Sequence, residues 1–194
     1  MDIANKISWQ QAKEITEELL ARLLPMSDKT ISALDAQNGI YIISYEGKDL
    51  GLSLFAQNTP TIVYVGISKD NSSRHFISGN TGTSTMRRSL TALLQTKLDL
   101  VPVPRSLDEV DGDRYNNYAL AFASEEILTE WMRTNFKCAF YQTEQVEATE
   151  AALVDYTAPM LNFQHNPGNK YGAHLKHYRK QCAEVAKSNE ALIR

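Results

Sequence analysis

The sequence predicts a mixed α+β protein rather than a doubly wound parallel sheet. Three observations carry that expectation. Short β-branched and aromatic runs occur in hairpin-like pairs, helical periodicities separate them, and amphipathic helices lie at both ends of the chain. The 194 residues, 43% of them hydrophobic, suffice for one well-buried core with appended helices. The expected division is a helical N-terminal extension over 1–36, a central domain over 37–165 and a basic C-terminal helix over 166–194.

Ser8-Trp9-Gln10-Gln11 reads as a capping box, and Ile15, Leu19, Leu20 and Leu23 follow at helical spacing up to Pro25. A polar linker is expected next. NGIYIISYEGKDLG, starting at Asn38, is a strand bounded by Asn-Gly and Glu-Gly turns, apolar on both faces. Beyond Pro60, TIVYVGIS is a second strand of the same type. GNTGTSTMRRSL, residues 79–90, then opens a helix running from about Ser84 to about Lys97, with Ser84 or Thr85 as its cap. Pro102 and Pro104 break the chain. YNNYALAFAS, from Tyr115, reads as a strand, and Ser124-Glu125-Glu126 as the start of the next helix. FKCAFYQTE is a further strand, EQVEATEAALVDY a helix stopped by Pro159, and the chain from Lys170 onward is helical and basic.

Charge is distributed unevenly. Residues 1–50 hold eight acids against five bases, whereas 166–187 hold five Lys or Arg against the single acid Glu184. With a net charge of −3, this suggests a local polyanion contact and not a globally basic surface. No run of eighteen apolar residues suggests a membrane span, and MDIANKISWQQAKE lacks the layout of a signal peptide. A cytoplasmic location is the default. Cys138 and Cys182 have no metal-ligand spacing and read as buried or inert thiols.

Several chemistries are disfavoured by spacing. A P-loop needs a lysine after its second glycine to reach the β and γ phosphates, and Gly82 is followed by Thr83-Ser84 instead. His174 and His177 have no Cys or acid near enough in sequence to complete a zinc set. No G-x-S-x-G elbow for a serine hydrolase is present. The segment 79–90 still suits an anion at a helix N-terminus, with Ser84, Thr85, Arg87 and Arg88 facing a nucleic-acid backbone. Lys170, Lys176, Arg179 and Lys180 supply its basic counterpart.

Two glycine-flanked triplets, Gly39-Ile40-Tyr41 and Tyr64-Val65-Gly66, are followed by Arg74 and His75. Far downstream stands Glu150, with an apolar pair three and four residues on, Pro159 at nine and Asn162 at twelve. In order and spacing this set resembles the GIY-YIG nuclease superfamily, over about Asn38 to Asn162. The nuclease half of nucleotide-excision-repair incision enzymes shows the same carboxylate spacing. The TG-x-ST-x-RRS-like run after His75-Phe76 is similar to a bacterial subgroup of the family.

The resemblance implies a small, mostly antiparallel sheet of about three core strands flanked by helices. It also implies metal-dependent hydrolysis of phosphodiester bonds in DNA. Tyr41 would act as base and Tyr64 as its partner, Arg74 would clamp the phosphate, and His75 would stand beside it. Glu150 would hold one Mg²⁺, with Mn²⁺ as a substitute, and Asn162 would tie loop to strand. A phenol ionises near ~10, so the base role demands nearby cations. Glu150 shares a helical face with Val146, Leu153 and Val154, where a carboxylate is costly unless hydrogen-bonded or bound to a cation. One departure stands out. Family members place the arginine and the following His or Tyr four residues apart, whereas Arg74 and His75 are adjacent, so Arg87 or Arg88 is an alternative source of the catalytic cation. A non-catalytic nucleic-acid-binding domain on the same scaffold is the second reading. Cleavage of both strands would require a homodimer or two sequential nicks.

Overall fold

A computed structural model describes residues 6–27, 29–30, 38–47, 50, 61–68, 79–106, 113–167 and 169–193. Among these are five α-helices, α1 (Trp9–Ala21), α2 (Thr85–Leu98), α3 (Phe122–Asn135), α4 (Val146–Thr157) and α5 (Gly172–Ser188). The strands are β1 (Leu24–Pro25), β2 (Gly39–Tyr45), β3 (Thr61–Ser68), β4 (Pro102–Val103), β5 (Ala119–Leu120) and β6 (Phe136–Gln142). The protein is α+β, as the sequence predicts, and its main sheet is antiparallel throughout in the order β1-β6-β2-β3. The chain divides into two compact units, 1–47 with 57–73 and 133–170, and 48–56 with 74–132 and 171–194. Both end helices are built into cores, α1 in the first unit and α5 in the second.

In the first unit α1 is no appendage. Its capping box forms as expected: the Ser8 side chain accepts from Gln11 N, and Gln11 accepts from Ser8 N. Its apolar stripe, Ala12, Ile15 and Leu19, packs with Ile40 and Ile42 of β2 and with Leu153 and Val154 of α4. Strand residues alternate faces, so Ile40, Ile42 and Val65 meet these helices while Tyr41 and Tyr64 point to the other side of the sheet. The expected linker after α1 is instead partly paired, since Leu24 and Pro25 lie opposite Cys138 and Lys137 of β6. Proline lacks a ladder donor and is tolerated there because β1 is an edge strand.

The second unit packs α2 on α5 through Ala92, Cys182, Ala183 and Ala186, with Tyr118 and Tyr178 filling the contact. Ser84 caps α2 as expected, accepting from Arg87 N at 3.2 Å. The expected strand at YNNYALAFAS shrinks to Ala119–Leu120, paired with Pro102 and Val103. Residues 113–117 form a turn that carries Tyr118 inward, and α3 starts at Phe122, earlier than Ser124. Ser124 does not cap that helix; its hydroxyl accepts from Val101 N at 3.0 Å. Cys138 and Cys182 are buried free thiols, pushed up by burial to about 12 and about 11. No helix among the described residues is long and apolar enough to cross a membrane.

Candidate functional site

Strand register brings the two tyrosines together. Tyr41 lies directly opposite Gly66, and Tyr64 opposite Ile43, so both side chains stand on one face of the β2–β3 pair. Their ring centroids are 6.0 Å apart at 42°. Tyr41 is 3% exposed and lies across Gly66, while Tyr64 is half-buried. A methyl group on Gly66 would sit 2.5 Å from both Cζ and the hydroxyl of Tyr41. The glycine of the second triplet is therefore the space into which the tyrosine of the first triplet folds. Gly39 is constrained by backbone instead, because a Cβ there would strike the Tyr141 carbonyl and the Phe140 ring.

A bulge between Ile43 and Ser44 leaves Val63 as an extra residue on β3, which is the outer strand of the sheet. The chain beyond α4 covers that edge. Ala158 takes a left-handed conformation with φ of 44° and ends the helix; Leu161 N then donates to Val63 O at 2.9 Å. The Asn162 amide completes the edge, accepting from Val65 N at 2.9 Å and donating to Val65 O at 2.8 Å. One side-chain amide thus imitates a neighbouring peptide group, bonded to the residue between Tyr64 and Gly66. Asn166 and Asn169 brace the loop by donating to Pro159 O and Met160 O, both at 2.9 Å, and both also donate to Asn162 O.

Glu150 lies on the apolar stripe of α4, within the arc set by Val146, Leu153 and Val154, whose side chains are core. Burial raises its carboxyl above the usual range, His165 opposes that rise and Glu147 reinforces it. Among the described residues none gives the carboxylate a hydrogen bond or ion pair. His165 is a neighbour that the sequence did not single out. It belongs to the Asn162 loop, at φ of 56°, and no spacing rule pointed to it.

The remaining residues expected at the site have diverse fates. Arg74 and His75 lie outside the described residues. Arg87 is 0% exposed: its Nη2 donates to Glu125 Oε2 at 2.7 Å and to Thr129 Oγ1 at 3.0 Å. The second oxygen of Glu125 accepts from Thr81 N at 2.7 Å. A carboxylate of the chain therefore occupies the place where the glycine-rich segment suggested a phosphate. Arg87 faces no solvent, and its pairing with Glu125 offsets part of the cost of desolvating the guanidinium. Ser84 is buried as the α2 cap, and exposed Thr85 accepts from Arg88. Lys170, Lys176 and Lys180 are exposed, and Arg179 is half-buried near Tyr118 and Cys182.

A glycine-spaced tyrosine pair thus stands on adjacent antiparallel strands, with Glu150 on the helix packed against the sheet. Residues 39–181 match the model of the GIY-YIG catalytic domain, and the chain belongs to that family. No curated protein and no solved structure matches the chain.

The residues present fit a divalent cation of the kind GIY-YIG nucleases generally use. A desolvated carboxylate with a second acid, Glu147, in its field favours a positive charge. Among the described residues no group of three or more His, Cys, Asp or Glu forms a metal cage. A single carboxylate suits an ion such as Mg²⁺, which keeps much of its hydration.

Proposed function

We propose that this protein is a metal-dependent endonuclease hydrolysing phosphodiester bonds in DNA, acting in the cytoplasm. The observation that carries the proposal is Glu150, a carboxylate kept on the apolar face of α4 with its carboxyl held up by burial. Such a placement costs folding stability and is explained by a cation. The same unit supports Tyr41 and Tyr64 on facing strands, tied at Val65 by the Asn162 loop.

In this mechanism Tyr41 acts as its phenolate and takes the proton of the attacking water, which Tyr64 orients; the bond from phosphorus to the leaving oxygen breaks, and that oxygen takes a proton from solvent. Arg74 offers its planar fork to a non-bridging oxygen of the scissile phosphate. Glu150 holds the cation, Mg²⁺ or in its place Mn²⁺, which when bound stabilises charge on the phosphoryl and leaving oxygens. Asn162 is a positioning residue that keeps the β3 edge in register with Tyr64. Lys170, Lys176 and Lys180 neutralise flanking backbone phosphates. One site handles one phosphate, so cleavage of both strands takes a homodimer or two nicks.

The test is nicking of supercoiled plasmid by the purified protein with Mg²⁺, with Mn²⁺ and with EDTA, beside Glu150→Gln and Tyr41→Phe. Metal-dependent nicking lost in both variants is the expected result. Nicking that survives Glu150→Gln would sink the assignment. Salt-sensitive DNA binding without any nicking would favour a non-catalytic binding domain, the reading that the adjacency of Arg74 and His75 supports.

A further inference from the structure

Residues 159–169 read PMLNFQHNPGN, with asparagines at 162, 166 and 169 and prolines at 159 and 167. Such a composition makes a loop whose polar side chains take over backbone hydrogen bonding. All three asparagines do so, Asn162 to Val65 and the other two to carbonyls within the loop. From Pro159 the chain follows the β3 edge, Leu161 meeting Val63 and Asn162 meeting Val65, and Asn166 then reaches back to Pro159 O. The loop therefore closes on itself along the strand against which α4 packs.

His165 stands at that closure, immediately before Asn166. Its φ of 56° is left-handed, a conformation uncommon for any residue with a Cβ. Asn166 is 6% exposed and donates to two carbonyls, whereas His165 is exposed. A buried asparagine thus fixes the backbone that carries a solvent-facing imidazole. Packing gains little from an exposed ring, and backbone strain held beneath one is the outlier that accompanies a functional group.

The group beside it is Glu150. Both residues belong to the first unit, and the histidine acts on the carboxylate against the effect of burial. The two do not touch, since Glu150 makes no hydrogen bond or ion pair among the described residues. They feel one another across a separation that a shared ion would close. A divalent ion with a ligand about 2.1 Å away on each side spans roughly 4 Å between them. An exposed imidazole on a fixed backbone has the rotamer freedom to meet it. The two donors also differ in what they hold. Oxygen ligands alone suit Mg²⁺, and an added imidazole nitrogen shifts the preference toward first-row transition ions.

We infer that His165 is a second protein ligand of the cation at Glu150, so that the site holds a first-row divalent transition ion such as Mn²⁺ in preference to Mg²⁺. The inference rests on the cation assigned to Glu150 above and on none of the hydrolytic steps. Water completes the shell of such a two-ligand site.

Mn²⁺ binding to the full, untagged chain without DNA, followed by electron paramagnetic resonance, tests it. Wild type should bind Mn²⁺ with a spin echo modulated by a directly coordinated nitrogen nucleus, and Glu150→Gln should lose the bound ion. His165→Asn keeps a residue that tolerates the left-handed backbone. It should lose the nitrogen modulation and bind Mn²⁺ at least about tenfold more weakly. Its affinity for Mg²⁺, measured by competition, should change by less than about twofold. Thermal melting checks that each variant is folded. His174→Gln/His177→Gln, on α5, should leave the modulation as in wild type. Modulation that is absent from wild type, or that persists in His165→Asn, would overturn the inference, as would a wild type that binds no Mn²⁺. Equal weakening of Mn²⁺ and Mg²⁺ in His165→Asn would overturn it too, marking a residue that only shapes the loop. Plasmid nicking by the same proteins separates the two ideas. Metal-dependent nicking without nitrogen modulation keeps the nuclease proposal and sinks this one; nitrogen modulation in a protein that never nicks does the reverse.

Discussion

Tyr41 and Tyr64 in the first unit owe their positions to strand register, whereas Arg87 and Arg88 in the second owe theirs to the groups that surround them. Register is a repeating backbone pattern: once β2 pairs with β3, Tyr41 must lie opposite Gly66 and its ring must cross it. Nothing comparable separates two consecutive arginines on one helix. One meets a carboxylate, and the other donates to the neutral acceptors Thr81 O, Gly82 O and Thr85 Oγ1 with Arg105 and Arg179 nearby. In the proposed mechanism the residues of proton transfer and cation binding, Tyr41, Tyr64 and Glu150, all belong to the first unit.

The largest effect that would test this division is on turnover. Glu150→Ala should lower plasmid nicking by at least ~10²-fold, the usual scale for losing a group that stabilises transition-state charge. DNA affinity in EDTA should stay within a factor of about two, because Glu150 supplies no positive charge to the phosphates. A parallel loss of affinity would break the comparison.

Next in size is the framework role of Arg87. Glu125→Ala strands a buried guanidinium and should destabilise the protein by roughly 3–5 kcal/mol in denaturant unfolding. Nicking per folded molecule should be unchanged. A variant of wild-type stability with weakened DNA binding would instead return Arg87 to the list of phosphate contacts.

Asn162→Ala removes both bonds to Val65 and leaves that backbone pair without its partner, at a cost of about 1–3 kcal/mol. Amide exchange at Val65 N–H should quicken before global unfolding does, and kcat should fall with little change in DNA affinity. Unaltered protection at Val65 would show that the loop backbone alone holds the edge.

The smallest effect is on pH dependence. Burial holds the Glu150 carboxyl above its ordinary 4.5 in the folded chain. Through the window between 4.5 and that raised value the unfolded chain binds fewer protons, so stability falls as pH rises, then levels off. Glu150→Gln removes this penalty. Its melting temperature should exceed that of the wild type at neutral pH, and the gap should close below pH 4.5. Mg²⁺ should narrow the gap from the wild-type side by stabilising the folded state it binds. A gap that persists unchanged in acid would show that burial of the charge is not its cause.

Much of the first unit was legible in the sequence. Helix α1 and its capping box, β2, β3, β6 and α4 follow from periodicity and from glycine and proline punctuation, all of which act between near neighbours in the chain. The GIY and YVG triplets and the Glu150–Pro159–Asn162 spacing likewise pointed to the family whose domain model the chain matches. Where the sequence misled, a distant partner had intervened. Tyr118 reads as a strand residue, yet it turns inward to reach Arg88 O and the α2–α5 contact. Ser124 reads as a helix cap, yet it serves the Val101 amide.

The sequence by itself determined most of the elements and pointed to the family, because hydrophobic period, capping and motif spacing are local properties. Only the tertiary structure decided which of two adjacent arginines is spent on a carboxylate and which is left among like charges. It also decided that the Asn162 amide would serve as the next strand of the sheet. Glu125 is 38 residues from Arg87, and Val65 is 97 residues from Asn162. Hydrogen bonding and charge pairing depend on distance in space, and folding alone brings such residues within reach.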